Sequence, residues 1–273
     1  MTARLITRRD WLFFWSIVLP ARAEKSEELW SGFRLMYHLR FDEAMSVFLD
    51  WQKKNPQDAM GFTAEAAAHL FEEFERHGVL TREFFLDDDL FLGGIRGTPN
   101  AASVQAFERA HTVASKLGQA RLRVNELDPE ALLALSMAAG LRADFASLIA
   151  KRQVEALRQI RRAESYSNRL LKVAPQMGDG YMALGAASYI IACLPAYKRA
   201  VLFVGGIRGD KRRGLDQLAR AARTGRYLAP FAKIMLALSM FREKQPAEGR
   251  RLLAELAAEF PESPLFAREL AKK

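Results

Sequence analysis

The feature that most constrains this 273-residue chain is that it repeats itself. Leu90 to Gly97 reads LFLGGIRG and Leu202 to Gly209 reads LFVGGIRG, an offset of 112; PQDAMGF at Pro56 to Phe62 is answered by PQMGDGY at Pro175 to Tyr181, an offset of 119. LALSM stands at Leu133 to Met137 and again at Leu236 to Met240, each time downstream of the glycine-rich turn. The order of elements is therefore the same twice over, and a duplicated half of about 115 residues is expected, with halves at roughly 28–140 and 144–273. A chain built this way buries its apolar faces by stacking one kind of small unit.

The unit is helical. Half of the residues are apolar and 27% are charged, with Ala, Leu, Arg and Glu dominant, types that lose little side-chain freedom in a helix. Apolar residues recur at spacings of three and four, which predicts an all-α chain with helices at 25–39, 41–54, 58–77, 101–117, 128–140, 144–173, 178–192, 211–224, 229–242, 246–259 and 263–271. Cys193 is the single cysteine, so no disulfide framework and no cysteine-rich zinc site can form, and its apolar neighbours predict a buried thiol.

Two helix pairs share one spacing. Gly32 is the small residue of a first helix; Ala44, Phe48 and Trp51 follow on the second, and Pro56 ends it. Ala237, Gly249, Leu253, Leu256 and Pro261 repeat the same four offsets. A third pair, Tyr181 and Leu184-Gly185 followed by Gly214, Leu218 and Ala221, carries about 17 extra residues between its helices. These positions resemble the tetratricopeptide repeat, in which small residues let antiparallel helices cross closely and a proline closes the second helix. The resemblance spans most of residues 28–270, as in loosely tetratricopeptide-like exported bacterial proteins, with a more distant likeness to eukaryotic outer-mitochondrial-membrane proteins of the same kind. It implies one TPR-like α-solenoid over 24–273, a right-handed α-α superhelix whose role is interaction.

Residues 1–23 read as an address. Arg4, Arg8 and Arg9 precede the apolar stretch Trp11 to Leu19, and Ala21-Arg22-Ala23 places small residues where a signal peptidase cuts, predicting cleavage after Ala23. Thr7-Arg8-Arg9-Asp10-Trp11-Leu12 resembles the twin-arginine export motif, with Trp11 where that pattern usually has Phe. A periplasmic or secreted product is expected, with general secretion or retention at the membrane as alternatives. The stretch is shorter than the ~20 residues a membrane-spanning helix needs.

The formal charge of +9 is unevenly spread. Glu72 to Asp89 holds seven acids and two arginines, Arg142 to Lys172 eight bases and three acids, and Lys198 to Arg213 six bases and one acid. On the predicted helix through 144–173, Arg158, Arg161, Arg162 and Arg169 share one stripe, which suits an acidic peptide or a solvated face. An export signal disfavours nucleic acid as a partner.

Chemistry has few candidate seats. His38, His69, His77 and His111 form no metal-ligand spacing, Asp87-Asp88-Asp89 is consecutive where calcium loops alternate, and no cofactor motif is present, so no cofactor or metal is expected. The GGIRG turns, with Gly93, Gly94 and Arg96 in one and Gly205, Gly206 and Arg208 in the other, suit either an anion cradle or a tight interhelical turn. The insertion Leu194 to Val204 is expected to fold back onto the stack.

The leading expectation is a non-enzymatic interaction module of the cell envelope that receives a protein or peptide partner through Arg158, Arg162, Tyr181 and Tyr189 on a concave face. A receptor or enzyme for an anionic small molecule at the glycine-rich turns is one alternative. A membrane-surface structural protein using the insertion is the other.

Overall fold

The computed structural model describes residues 27–204 and 207–272, and the side chains of 201 and 204 also fall outside that description. The export signal and Ala23 lie outside the described residues. Within them the protein is all-helical, with no strands. The helices are α1 (27–37), α2 (Phe41–Lys54), α3 (Ala59–Arg76), α4 (Arg82–Leu86), α5 (Asp88–Gly93), α6 (Ala101–Val124), α7 (Pro129–Asp144), α8 (Gln153–Val173), α9 (Gly180–Cys193), α10 (Ala196–Val204), α11 (Lys211–Thr224), α12 (Ala229–Arg242), α13 (Pro246–Glu259) and α14 (Pro264–Ala271).

Helix starts follow from capping chemistry. The carboxylates of Asp58, Asp128 and Asp210, the hydroxyl of Thr81 and the amide oxygen of Asn100 accept from backbone N–H groups in the first turns of α3, α7, α11, α4 and α6. Four helices also end alike. At Asn55, Asn125, Ala174 and Phe260 the amide donates back four residues, to Trp51, Arg121, Leu170 and Leu256, at 2.7–2.9 Å. Three residues on, the amides of Asp58, Asp128, Met177 and Ser263 donate to the carbonyls of those same four residues at 3.0–3.1 Å. One turn thus leads out of α2, α6, α8 and α13 into the next apolar helix.

Neighbouring helices pack in chain order: α2 on α3, α3 on α6, α6 on α7, α7 on α8, α8 on α9, α9 on α11, α11 on α12, α12 on α13 and α13 on α14. Additional contacts join α3 to α7 and α7 to α9. The apolar members lie inside. Every residue from Ala131 to Ala139 of α7 is buried, whereas α8 buries only Ala156, Ala163, Ser167 and Leu170 along one stripe. The run Pro129–Ile149 is long and apolar enough to cross a membrane by length and composition, and 78% of its apolar window is buried among the other helices.

Glycines sit where helices come closest. A Cβ on Gly185 would stand 2.8 Å from the Leu218 amide and 3.0 Å from the Gly214 carbonyl, so α9 and α11 meet backbone to backbone. Gly32 faces the ring of Phe48, and Gly249 faces Phe241 and the Ala237 carbonyl. The tight turns beside these two glycines are also alike: Leu39 and Lys244 both have φ 59°, and the following amides, Arg40 and Gln245, donate back five residues to Leu35 and Met240.

The first described helices meet the last. Tyr37 of α1 packs on Phe260 with ring centroids 5.3 Å apart, Phe71 of α3 meets Phe231 of α12 edge-on at 5.4 Å, and Ser263 donates its hydroxyl to the Tyr37 carbonyl at 2.8 Å. The acidic run of the sequence supports this closure. Glu75 takes Arg268 at 3.0 Å, Glu83 takes Lys272, and Asp88 takes Arg242. The apolar interior forms two clusters, one from Leu29 to Ala174 and one from Met182 to Phe266 with Phe85. Tyr37, Leu80, Phe91 and Leu228 touch both.

Three features depart from the helix pattern expected from sequence. Short helices α4, α5 and α10 occupy segments expected to be irregular. Helix α6 runs on to Val124, because Gly118 does not end it: a Cβ there would lie 2.7 Å from Leu135 Cγ, so the glycine serves close packing on α7. The helix expected over 144–173 is broken by a wider turn at Phe145–Ile149 and by Lys151 at φ 56°. There the Leu148 carbonyl accepts from the Ile95 amide at 2.9 Å, leaving the helical ladder to hold the first GGIRG turn.

Candidate functional site

The first GGIRG turn is spent on packing. The Gly94 amide donates to Leu90 and the Ile95 amide to Leu148, while Ile95 is buried at 1% exposure. Gly94 has φ 70°, and a Cβ there would strike the Leu148 carbonyl, so only glycine fits. Gly93 and Arg96 are exposed, and the Arg96 carbonyl bonds His77 Nδ1 at 2.9 Å. His77 Nε2 in turn meets Glu73 at 2.9 Å, and Glu73 also accepts from the Asn100 amide at 2.9 Å. This buried carboxylate therefore clamps the turn to α3.

Of the second turn, Gly205 and Gly206 lie outside the described residues. The exposed Arg208 stacks on the Phe203 ring at 4.5 Å, and a Cβ on Gly209 would collide with the Ala192 backbone. The Asp210 amide is bonded to Ser188. In the two turns the amides of Gly94, Ile95, Ile207 and Asp210 are engaged within the protein.

Tyr189 is not placed to meet a partner. It is fully buried on α9, donating its hydroxyl to Glu243 Oε1 at 2.9 Å, with the Ser239 carbonyl at 3.3 Å. Burial, with Cys193 and Glu243 beside it, holds its phenol well above the usual range. The expectation that Tyr189 lines a binding face is corrected on this ground, because the inner side of α9 is occupied by α11 and α12. Cys193 is half-buried, lining a cleft of about 320 Å³ between α5, the end of α9 and α12, with Phe85, Phe91 and Pro195. Arg242 at its edge is held by Asp88 and by the Phe85 carbonyl at 3.1 Å.

Arg158, Arg162 and Tyr181 lie on the outside. Arg158 and Arg162 are exposed on α8, one turn apart, with no carboxylate paired to either among the described residues. Tyr181, half-buried at the start of α9, lies under the Arg220 guanidinium of α11 at 4.4 Å. Glu164 lies between the basic surfaces of α8 and α11: burial raises its carboxyl, opposed by the charges of Arg213 and Arg161. Arg169 donates to the Glu126 carbonyl and so is committed to holding α8 against the end of α6.

Arg220 joins this surface through Tyr181 of another helix, and Arg213, part of the basic run of the sequence, through Glu164, neighbours that no local pattern shows. Asp144 was equally hidden. It keeps part of its surface exposed, yet burial pushes its carboxyl up to about 7, and no counter-ion stands beside it among the described residues. Two of the consecutive aspartates cap and anchor α5: Asp87 accepts from the Asp89 and Leu90 amides, and Asp88 pairs with Arg242. Among the described residues no three His, Cys, Asp or Glu side chains come together as a metal site would require.

Compared with known protein families and with curated proteins, the sequence matches none.

Proposed function

We propose that this chain is a non-enzymatic interaction module of the cell envelope, built as a TPR-like right-handed superhelix, that binds an acidic peptide or the acidic surface of a partner protein. The superhelical reading is supported by five successive pairs, α1–α2, α3–α6, α7–α8, α9–α11 and α12–α13, with one recurring turn at the first three of the four junctions between them. In each of the last four pairs the first helix is the more apolar, as a stacked array requires.

The observation that carries the binding reading is the pair Arg158 and Arg162, exposed on α8 and, among the described residues, without a carboxylate partner. Two uncompensated guanidiniums one helical turn apart favour a run of carboxylates, each of which a guanidinium fork engages with two donors. The inner side is filled by the protein's own aromatic residues, so the outer faces of α8 and α11 take the place of a concave groove.

The test is fluorescence anisotropy with a labelled oligoglutamate peptide and a neutral peptide of equal length. Binding of the acidic peptide alone is expected, weakening with added salt. Arg158→Glu/Arg162→Glu should weaken it about tenfold, the scale of two reversed surface contacts. Equal affinity for both peptides, or an unaffected double variant, would overturn the reading.

A further inference from the structure

A separate surface, independent of the α8 face, carries a second interaction. Helix α10 follows Leu194-Pro195 and turns its apolar side outward: Tyr197 is 68% exposed and Phe203 56%, with Ala196 and Ala200 exposed between them. Ala200 is three residues from each ring, so the two aromatics flank one outward face about 120° wide. The sequence predicted that this insertion would fold back and bury that side. It does not, because the Ile207 amide returns to the Leu202 carbonyl and Arg199 donates to the Ala192 carbonyl at 3.0 Å, which fixes the helix with the other side inward.

Cations neighbour the exposed aromatics in the chain. Lys198, Arg199, Arg208 and Arg212 have no carboxylate partner among the described residues, and Arg208 stands over the Phe203 ring. Lys211 is paired with Glu243, and Asp210 is occupied in capping α11 through the Arg213 amide. Two exposed aromatic rings on one helix with unpaired cations nearby in the chain match the headgroup region of a bilayer, where aromatic rings enter to a shallow depth and cations remain with the phosphates. A second copy of this chain would set like charges against each other. A neutral apolar groove would leave the cations without a counter-charge.

We infer that α10 and the start of α11 dock the protein onto an anionic phospholipid surface, with Tyr197 and Phe203 inserted at headgroup depth and Arg208 and Arg212 bound to lipid phosphates.

The experiment uses the full chain with Cys193→Ala and an environment-sensitive dye on Phe203→Cys, on Tyr197→Cys as a second reporter of the same face, or on Glu126→Cys, an exposed site elsewhere. A dye reports its own position, so other membrane-active parts of the chain do not enter the reading. Thermal melts establish that each labelled protein is folded. With phosphatidylglycerol vesicles, a blue shift is expected at 203 and 197 and none at 126; phosphatidylcholine vesicles should give little shift at any site. Arg208→Gln/Arg212→Gln should raise the lipid concentration at half-effect about twenty-five-fold, each cation being worth about fivefold near an anionic surface. The inference is overturned by no shift at 203 and 197, by equal shifts on both lipids, by an equal shift at 126, or by a shift that grows with protein concentration in the absence of lipid.

Discussion

The Tyr37 hydroxyl donates to the Tyr227 carbonyl at 2.9 Å across 190 residues of chain, tying the first described helix to the turn that opens α12. Around it, Tyr37 packs on Phe260, Phe33 on Tyr227 at 5.0 Å, and Burial of the Tyr37 phenol raises its pKa beyond the ordinary range. Tyr37→Phe keeps the ring and removes only the donor. A loss of about 1 kcal/mol is expected, measured by urea unfolding, with the shape of the transition unchanged.

The close approach of α9 and α11 gives a paired prediction. Gly185→Ala places a methyl group against the backbone of Leu218 and Gly214, which cannot move aside, and should destabilise by about 1–3 kcal/mol. Gly140→Ala in α7 meets nothing within 4 Å and should stabilise by up to about 1 kcal/mol through helix propensity. Thermal melts of the two variants should move in opposite directions.

Asp179 organises the turn between α11 and α12. Its buried carboxylate accepts from the Arg226 amide at 3.0 Å and the Leu228 amide at 2.7 Å. Burial raises its carboxyl, opposed by these backbone bonds. Asp179→Ala leaves those amides unpaired in the interior and should cost about 2–4 kcal/mol in urea unfolding, with faster amide hydrogen exchange at Arg226 and Leu228 than elsewhere.

The pH dependence has two opposing contributions. Burial raises the Asp144 carboxyl from its ordinary 3.8 to about 7, so its charged form is a cost to the fold that is full above pH 7 and vanishes as the pH falls toward 4. Asp144→Asn should therefore gain up to about 2 kcal/mol over wild type at pH 8 and nothing near pH 4. His111 acts the other way. Burial, and next to it Arg142, lower its pKa, so its contribution is intact above about 6.5 and lost below. His111→Gln should flatten the loss of stability on the acid side, measured as melting temperature against pH.

Helix positions were largely legible because apolar spacing and capping residues act locally. Asp58, Asn100 and Asp128 mark starts that the structure reproduces within a residue or so. What escaped depends on contacts between distant segments. Gly118 reads as a helix end in isolation and serves Leu135 in the fold; the break after Asp144 exists because Ile95 takes the Leu148 carbonyl. The candidate surface was legible only as charge on one helix. Arg158 and Arg162 are exposed one turn apart on α8, the shared stripe their spacing suggested, but nothing local distinguishes the buried Tyr189 from the half-buried Tyr181 eight positions earlier.

The meeting of α1 and α3 with α12 to α14 also bears on how such a chain can change in descent. An open array gains or loses a helix pair by lengthening or shortening, because each unit touches only its neighbours. Here Arg268, Lys272 and Ser263 need partners at Glu75, Glu83 and Tyr37, so inserting one pair would displace the last helix from all three at once. The number of pairs is locked by the closure, and variation is left to the segments within pairs, where α4, α5 and α10 already lie.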